Sequence, residues 1–471
     1  MSEARLTTYP PITGFAPVIT VPVQSLPLLP TTKPPVPQDF PSLPSQPRVP
    51  ETAISSRYEL TTHLVPAAYT RVTPFIPIPE QPAWSNDRET WKANVEKTAQ
   101  EVMGPKIEQY EGKLPGGAEG KGNTHVLWNC VNRYTRKGLP PQRGGSTGKP
   151  LTLFFSHANG FPKEIWEPVM GHFLAENAAS DAPLDIAEMW SWEAVNHGDA
   201  ALINGGKLGG IYDWSDQSRD IAQFLAHYMP SSPLSPAESL PVHLPRQGES
   251  VADSRKKSGF EQRTLVVVAH SFSGAATTIA AVNYPALFSS IVLVDPVLRP
   301  LRPGVPVFTW EAHVSLATAA VKRRAHWPSR QEALEQFRAN PFWQVWDPAA
   351  LDRYVECGLY EDPNGGFKLK MSGMQEAIVF AEAFRTYEAW QLCSQMDARI
   401  PLKFIMPGKL SEKDLQFRYE MVNLRPANSS HTVVTEAGHL ITQEKPKELS
   451  EILVGFLREQ YVSSTTIGSK L

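Results

Sequence analysis

Ser271, Asp295 and His439 are the side chains whose types and order could together make a hydroxyl group nucleophilic. A serine alone is a weak nucleophile. It needs a base to take its proton, and the base needs an acid to orient it and stabilise its charged form. Ser271 lies in RTLVVVAHSFSGAATTIAAV, where an apolar run stops at His270 and a small-residue turn opens into an alanine-rich stretch. Such a strand–turn–helix bends the chain sharply and exposes a hydroxyl above a parallel sheet. The bend needs small neighbours two positions away, and Ala269 and Ser273, followed by Gly274, supply them as a relaxed G-x-S-x-G. Ser273 is a rival centre, flanked by Ser271 and Ala275. Ser271 is preferred because it follows the strand directly.

The base is expected later in the chain. HTVVTEAGHLITQEKP reads as a strand from His431, a short turn, and then His439 before a helix. His431 is the nearby competitor, but it stands at the wrong end of the strand. For the acid, SSIVLVDPVL puts Asp295 at the carboxyl end of an apolar strand, where catalytic groups gather in open α/β sheets. Glu412 and Asp414, after the strand IPLKFIM, are the alternatives, and Asp295 is preferred. A developing oxyanion needs backbone donors. One is the N–H of Phe272, beside the serine. The other is expected from the break HANGF after the strand KPLTLFF, between Ala158 and Phe161, with Asn159 as its centre.

These parts need parallel strands whose carboxyl ends meet at one rim. The segments HANGFPKEIWEP at 157–168, WEAVNHGDAALIN at 192–204, AHSFSG at 269–274, LVDP at 293–296 and EAGH at 436–439 carry a resemblance, with THLVPAAYTR at 62–71. The chain resembles the α/β-hydrolases, and among them a fungal peroxisomal group of acyl-CoA hydrolases, toxin-biosynthesis hydrolases and a yeast lipase. The resemblance covers about residue 57 to the end, apart from inserted loops. It implies an α/β-hydrolase fold: a mostly parallel central sheet, helices on both faces, and a helical cap inserted between the sixth and seventh strands. It also implies a triad acid after the strand that follows the elbow helix, which maps onto Asp295. The elbow departs from the family pattern, since Ala269 and Ser273 stand where glycines are usual.

The cap is expected at 299–395, between core segments 57–298 and 396–462. There VSLATAAVKRR, SRQEALEQFRAN, DPAALDRYVECG and MQEAIVFAEAFRTYEAWQL read as successive amphipathic helices. Of its aromatics Trp327, Phe342, Trp343 and Trp346, one or two are expected to touch substrate. Lys322, Arg323 and Arg324 read as a solvated helix face rather than a phosphate site. His197 and Asp199, which precede the serine, stay outside the catalytic set. The Ser- and Pro-rich stretch 231–260 is expected to be a flexible insertion. Residues 1–56 hold 13 of the chain's 44 prolines within their first fifty positions, which predicts a disordered or polyproline-like arm.

Neither GGAEGKG nor RGGSTGKP has the spacing of a phosphate loop. A net charge of −3 gives no reason to expect nucleic acid. Three cysteines, Cys130, Cys357 and Cys393, make neither a disulfide framework nor a metal site, and the histidines lack ligand spacing, so no metal or cofactor is expected. His270, Ser271, Ser273 and Asn283 interrupt the most apolar stretch, so no transmembrane segment is expected. No secretory signal is visible. Ser469-Lys470-Leu471, at the end of the tail 463–471, matches the tripeptide read by the peroxisomal import receptor and predicts the peroxisomal matrix. The expected activity is cleavage of an apolar acyl ester or thioester, with acyl-CoA preferred and a triacylglycerol lipase or esterase as the alternative. A non-catalytic binding protein on the same fold is the reading from another class.

Overall fold

The computed structural model describes residues 6–10, 20–23, 28–36, 40–115, 119–138, 148–233, 239–308 and 314–462. Within them the chain forms β1 (Leu6–Thr7), β2 (Tyr58–Pro66), β3 (Trp128–Arg136), β4 (Leu151–Ser156), β5 (Ile186–Glu193), β6 (Thr264–His270) and β7 (Ser290–Val294). After the cap strands β8 (His326–Trp327), β9 (Leu359–Glu361) and β10 (Phe367–Leu369) come β11 (Leu402–Pro407) and β12 (Ser429–Val434). Nine strands join one sheet in the order β1-β12-β11-β7-β6-β4-β5-β3-β2. From β5 to β12 the pairs are parallel; β2–β3, β3–β5 and β1–β12 are antiparallel. Leaving aside the two-residue edge strand β1, the cap enters between the sixth and seventh strands, as expected.

The middle strands read as unbroken apolar runs because both of their faces are covered. Leu265, Val267 and Ala269 of β6 enter one buried cluster, with Ile221 of α2 (Trp214–Gln223) and Ile279 of α4 (Phe272–Asn283). Val266 and Val268 enter the other, with Phe173 of α1 (Glu167–Ala178) and Leu453 of α12 (Pro446–Tyr461). The two-residue period of a strand thus divides its side chains between two helical layers.

Three regions carry detail beyond the expectations. The described parts of the proline-rich segment are extended and tied to the core. Thr7 pairs with Val433, Val21 N–H donates to Leu301 O (2.7 Å), and Thr32 bridges Tyr69. Arg219, buried, donates to Leu29 O and Pro30 O, and Arg48 pairs with buried Glu167. Extended backbone leaves carbonyls and N–H groups free, and the core supplies their partners. The stretch 231–260 is likewise anchored in its described part. Leu64 N–H donates to Val242 O, and α3 (Glu249–Ser258) carries Arg255, whose guanidinium is buried on the carbonyls of Leu225, Ala226 and Met229.

The cap is the third. It holds α5 (Ser315–Val321), α6 (Arg330–Ala339), α7 (Pro341–Gln344), α8 (Pro348–Gly358) and α9 (Gly373–Phe380), but also the antiparallel sheet β8-β10-β9. The last predicted helix breaks before α10 (Phe384–Cys393), because the Glu382 carboxylate accepts from the N–H groups of Phe384 and Arg385. Helix α10 then packs on the elbow helix α4, within the core layer.

Candidate active site

At the end of β6 the backbone of Ser271 takes φ 60 and ψ −124, a conformation open to glycine and costly by about 1–3 kcal/mol for other residues. Its surroundings enforce it. Ser271 N–H donates to Val294 O (3.1 Å), and Ser271 O accepts from Gly274 (2.9 Å) and Val297 (3.0 Å). Gly274 has no room for a side chain, since a Cβ there would lie 2.6 Å from Pro296 Cβ. Helix α4 starts at Phe272, so its N–H has no acceptor within the helix, and Phe272 lines the same cavity as the serine. Ser273, the rival, is fully buried: its hydroxyl donates to His157 O (2.5 Å) and accepts from Gln217 (2.8 Å). It bolts the loop after β4 to the elbow helix and does not face the cavity.

His439 Nε2 lies 3.0 Å from Ser271 Oγ, and its Nδ1 lies 2.6 Å from Asp295 Oδ2. Three loops, after β6, β7 and β12, therefore deliver the three groups to one rim. The imidazole is exposed at 42 %, while Asp295 is fully buried. Burial alone would raise the Asp295 carboxyl, but Arg418 and the imidazole N–H hold it down to about 2. Arg418 Nε is 2.6 Å from Oδ1, so both carboxylate oxygens have partners. The His439 turn is clamped by Glu444, whose two oxygens accept from the N–H groups of Gly438 (2.7 Å) and Leu440 (3.3 Å). His270 Nε2 donates to His439 O (2.9 Å), its Nδ1 accepts from the Thr442 hydroxyl (3.2 Å), and burial lowers its ring to about 3.

The competitors lie elsewhere. His431 accepts from Tyr9 N–H (3.1 Å), on β12. Asp414 is tied to Ser411 at the start of α11 (Glu412–Val422), its N–H donating to Ser411 Oγ and its carboxylate accepting from that hydroxyl, and Glu412 is exposed in the same first turn. Arg418, one turn further along that helix, and Glu444 are what sequence reading missed. No local pattern marks either, because each acts on a residue far away in the chain.

Asn159 follows β4, with Gly160 at φ 91. The Asn159 side chain is tied to Glu376 O (3.1 Å) and to the His197 ring (3.1 Å), which fixes the loop beside the serine. Ala158, Asn159, Ser271, Phe272 and His439 share one cavity of about 430 Å³, within the size range of small-molecule sites. Val297, Leu298, Leu316, Phe380 and Phe417 give it an apolar wall. Of the four cap aromatics only Phe342 lines it. Trp343 and Trp346 pack at tilted or edge-on angles against each other and against Tyr354, and Trp327 packs on Phe337. Of the three basic cap residues Lys322 and Arg324 are exposed as expected, but Arg323 turns inward and pairs with buried Glu376 (2.8 Å).

A separate cluster lies beneath the same loop. Lys163 Nζ sits 2.8 Å from Asp199, 3.0 Å from Glu164 and 3.4 Å from Glu193, all buried. Lys370 of the cap reaches Asp199 (2.6 Å), and Ser45 of the arm donates to it (2.6 Å). Gly198 must be glycine here, because a Cβ would fall 1.8 Å from Glu193 Oε1. Cys130, Glu193 and Asp199 bring ligand atoms within 4.8 Å of one another, but the Lys163 ammonium already supplies the cation of this nest. The WEAVNHGD segment is thus a structural joint.

Comparison with known proteins follows the same lines. The pattern of the Alpha/beta hydrolase family matches residues 153–452. The type I acyl-CoA thioesterase mpaH of Penicillium brevicompactum is 27 % identical over 255 residues, 54 % of this chain and 48 % of that protein. The peroxisomal membrane protein LPX1 of Saccharomyces cerevisiae is 25 % identical over 251 residues, 51 % of this chain and 58 % of that one. The chain spans about half the length of the curated relatives it matches. The solved structure of the peroxisomal alpha-beta-hydrolase Lpx1 from Saccharomyces cerevisiae superposes with a TM-score of 0.57 at 18 % identity, covering 86 % of this chain and 90 % of that one.

Proposed function

The chain belongs to the Alpha/beta hydrolase family, and on that premise we propose that it is a serine hydrolase cleaving an ester or thioester of an apolar acyl chain. One observation carries this reading: the relay Ser271–His439–Asp295, at 3.0 and 2.6 Å, opens onto an apolar cavity. Ser271 Oγ attacks the acyl carbonyl as His439 Nε2 takes its proton. Asp295 holds the ring through Nδ1 and stabilises the imidazolium. The N–H groups of Phe272 and Asn159 receive the oxyanion, each contributing on the order of 3 kcal/mol. His439 returns its proton to the leaving thiol or alcohol, and a water activated by the same ring releases the acid from the acyl-enzyme.

Acyl-CoA is the preferred substrate, supported by the thioesterase relatives. A peroxisomal location is supported by the peroxisomal relative and by Ser469-Lys470-Leu471, a tripeptide outside the described residues. The test is labelling with a fluorophosphonate, followed by turnover of acyl-CoAs, simple esters and triglycerides. Labelling is expected in the wild type and absent in Ser271→Ala. An unlabelled wild type would make the protein a binding module. Turnover of esters and triglycerides without thioesters would make it a lipase or esterase.

A further inference from the structure

We infer that the cavity is built for an acyl group carrying a second, anionic end, a carboxylate that Arg299 receives. The inference rests on the hydrolase reading for the scissile end of the substrate, and on the cavity's own charges for the other. Three arginines line the cavity. Arg323 is paired with Glu376 and Arg418 with Asp295. Glu382, also in the wall, is paired with Lys106 (2.6 Å). Arg299 alone among these has no hydrogen-bond or ion-pair partner for its guanidinium among the described residues, although it is half-buried.

Those charges cancel in pairs, so no carboxylate of the cavity wall is left to pair with Arg299. A guanidinium does not escape that state by losing its proton, since it stays charged at any working pH. Holding it in an apolar wall is costly unless a partner arrives. Its backbone is fixed: Arg299 follows Asp295 by four residues, and its N–H donates to Thr386 O (3.1 Å) on α10. Tyr387 and Asp414 act on the guanidinium through charge without a hydrogen bond or ion pair to it: the Tyr387 hydroxyl donates to Val307 O, and the Asp414 carboxylate accepts from Ser411. What remains open to Arg299 is the cavity itself.

A carboxylate is favoured over the phosphates of a coenzyme leaving group. Those phosphates stand a whole pantetheine arm away from the sulfur, and Arg299 lines the cavity together with Val297, Leu298 and Phe417 of its apolar wall. A planar fork of donors also suits a carboxylate's two oxygens.

The experiment compares N-acetylcysteamine thioesters of hexanoate and of adipate, which carry no phosphate, together with hexanoyl-CoA. The wild type should turn over the adipyl thioester with kcat/KM roughly tenfold or more above the hexanoyl one, mainly through KM, the scale of a charge-assisted hydrogen bond. Arg299→Leu should erase the preference by slowing only the adipyl substrate, and Arg299→Lys should keep part of it. Equal rates in the wild type, or equal losses in Arg299→Leu, would overturn the inference. So would a loss confined to hexanoyl-CoA, which would assign the cation to the leaving group. Should no thioester be cleaved, the thioesterase reading fails by itself. Calorimetric binding of adipate against hexanoate, lost or unchanged in Arg299→Leu, then still decides the role of Arg299.

Discussion

Two buried charge clusters flank the loop after β4, and they differ in one respect. At the rim, Asp295 is sealed between Arg418 and His439, and His439 is 42 % exposed. In the nest, Lys163, Glu164, Glu193, Asp199 and Lys370 are all buried. Both clusters hold carboxylates against cations in a low-dielectric interior, and burial raises Glu193 much as it would raise an unpaired Asp295. A perturbed acid therefore does not mark chemistry by itself. What marks it is a titratable partner that faces a cavity and touches a nucleophile.

The comparison can be broken from either side. The largest effect is expected at the rim: Asp295→Asn should lower kcat by about 10⁴ while the protein still folds, because the ring loses its correct tautomer. Asp199→Asn in the nest should leave kcat of the folded enzyme within a few-fold; a drop as large as that of Asp295→Asn would give the nest a catalytic role. Next is Lys163→Met, which strands buried carboxylates and should cost about 3–5 kcal/mol in denaturant unfolding. A loss under 1 kcal/mol would mean that the nest is not held by its ion pairs.

A third test separates the clusters by pH. Burial lowers the rings of His63 and His157 to about 4 and of His270 to about 3, and puts His197 well below its usual value. A lowered ring is neutral when folded and takes a proton only on unfolding, so stability present above about pH 6.5 falls as the medium becomes more acid. Between pH 6.5 and 5.5 each ring should remove about 1 kcal/mol. Glu193, raised to about 7, works in the opposite sense and offsets about one ring. Asp295, at about 2, contributes nothing to this window, because its stabilisation is lost only as pH falls below about 4. Unfolding curves that stay flat over this unit of pH would contradict the burial of these rings.

The smallest effect is expected at Ser273→Ala, which removes the hydroxyl between His157 O and Gln217. It should cost about 1–2 kcal/mol and leave fluorophosphonate labelling intact. Loss of labelling would move the nucleophile to Ser273.

Much of this was legible because it is written locally. The elbow needs small residues behind a strand, β-branched runs announce β6 and β7, and an apolar run announces β11. The turn EAGH announces His439, and a Val-Asp-Pro strand end announces Asp295. What could not be read depends on distant partners. Arg418 and Arg323 look like solvated charges on amphipathic helices until the fold turns them inward. The arm's anchoring to Arg219 and β12 uses backbone groups, which carry no side-chain signature. The cap strands are two or three residues long, too short for an alternating pattern to show.

The backbone of Ser271 has one more consequence. A chain tuned only to persist would place glycine at that bend, where nothing with a β-carbon sits at ease. Ser271→Gly should therefore melt at a higher temperature than the wild type, with no turnover left. On the proposed reading, reactivity and durability are set against each other at this single residue.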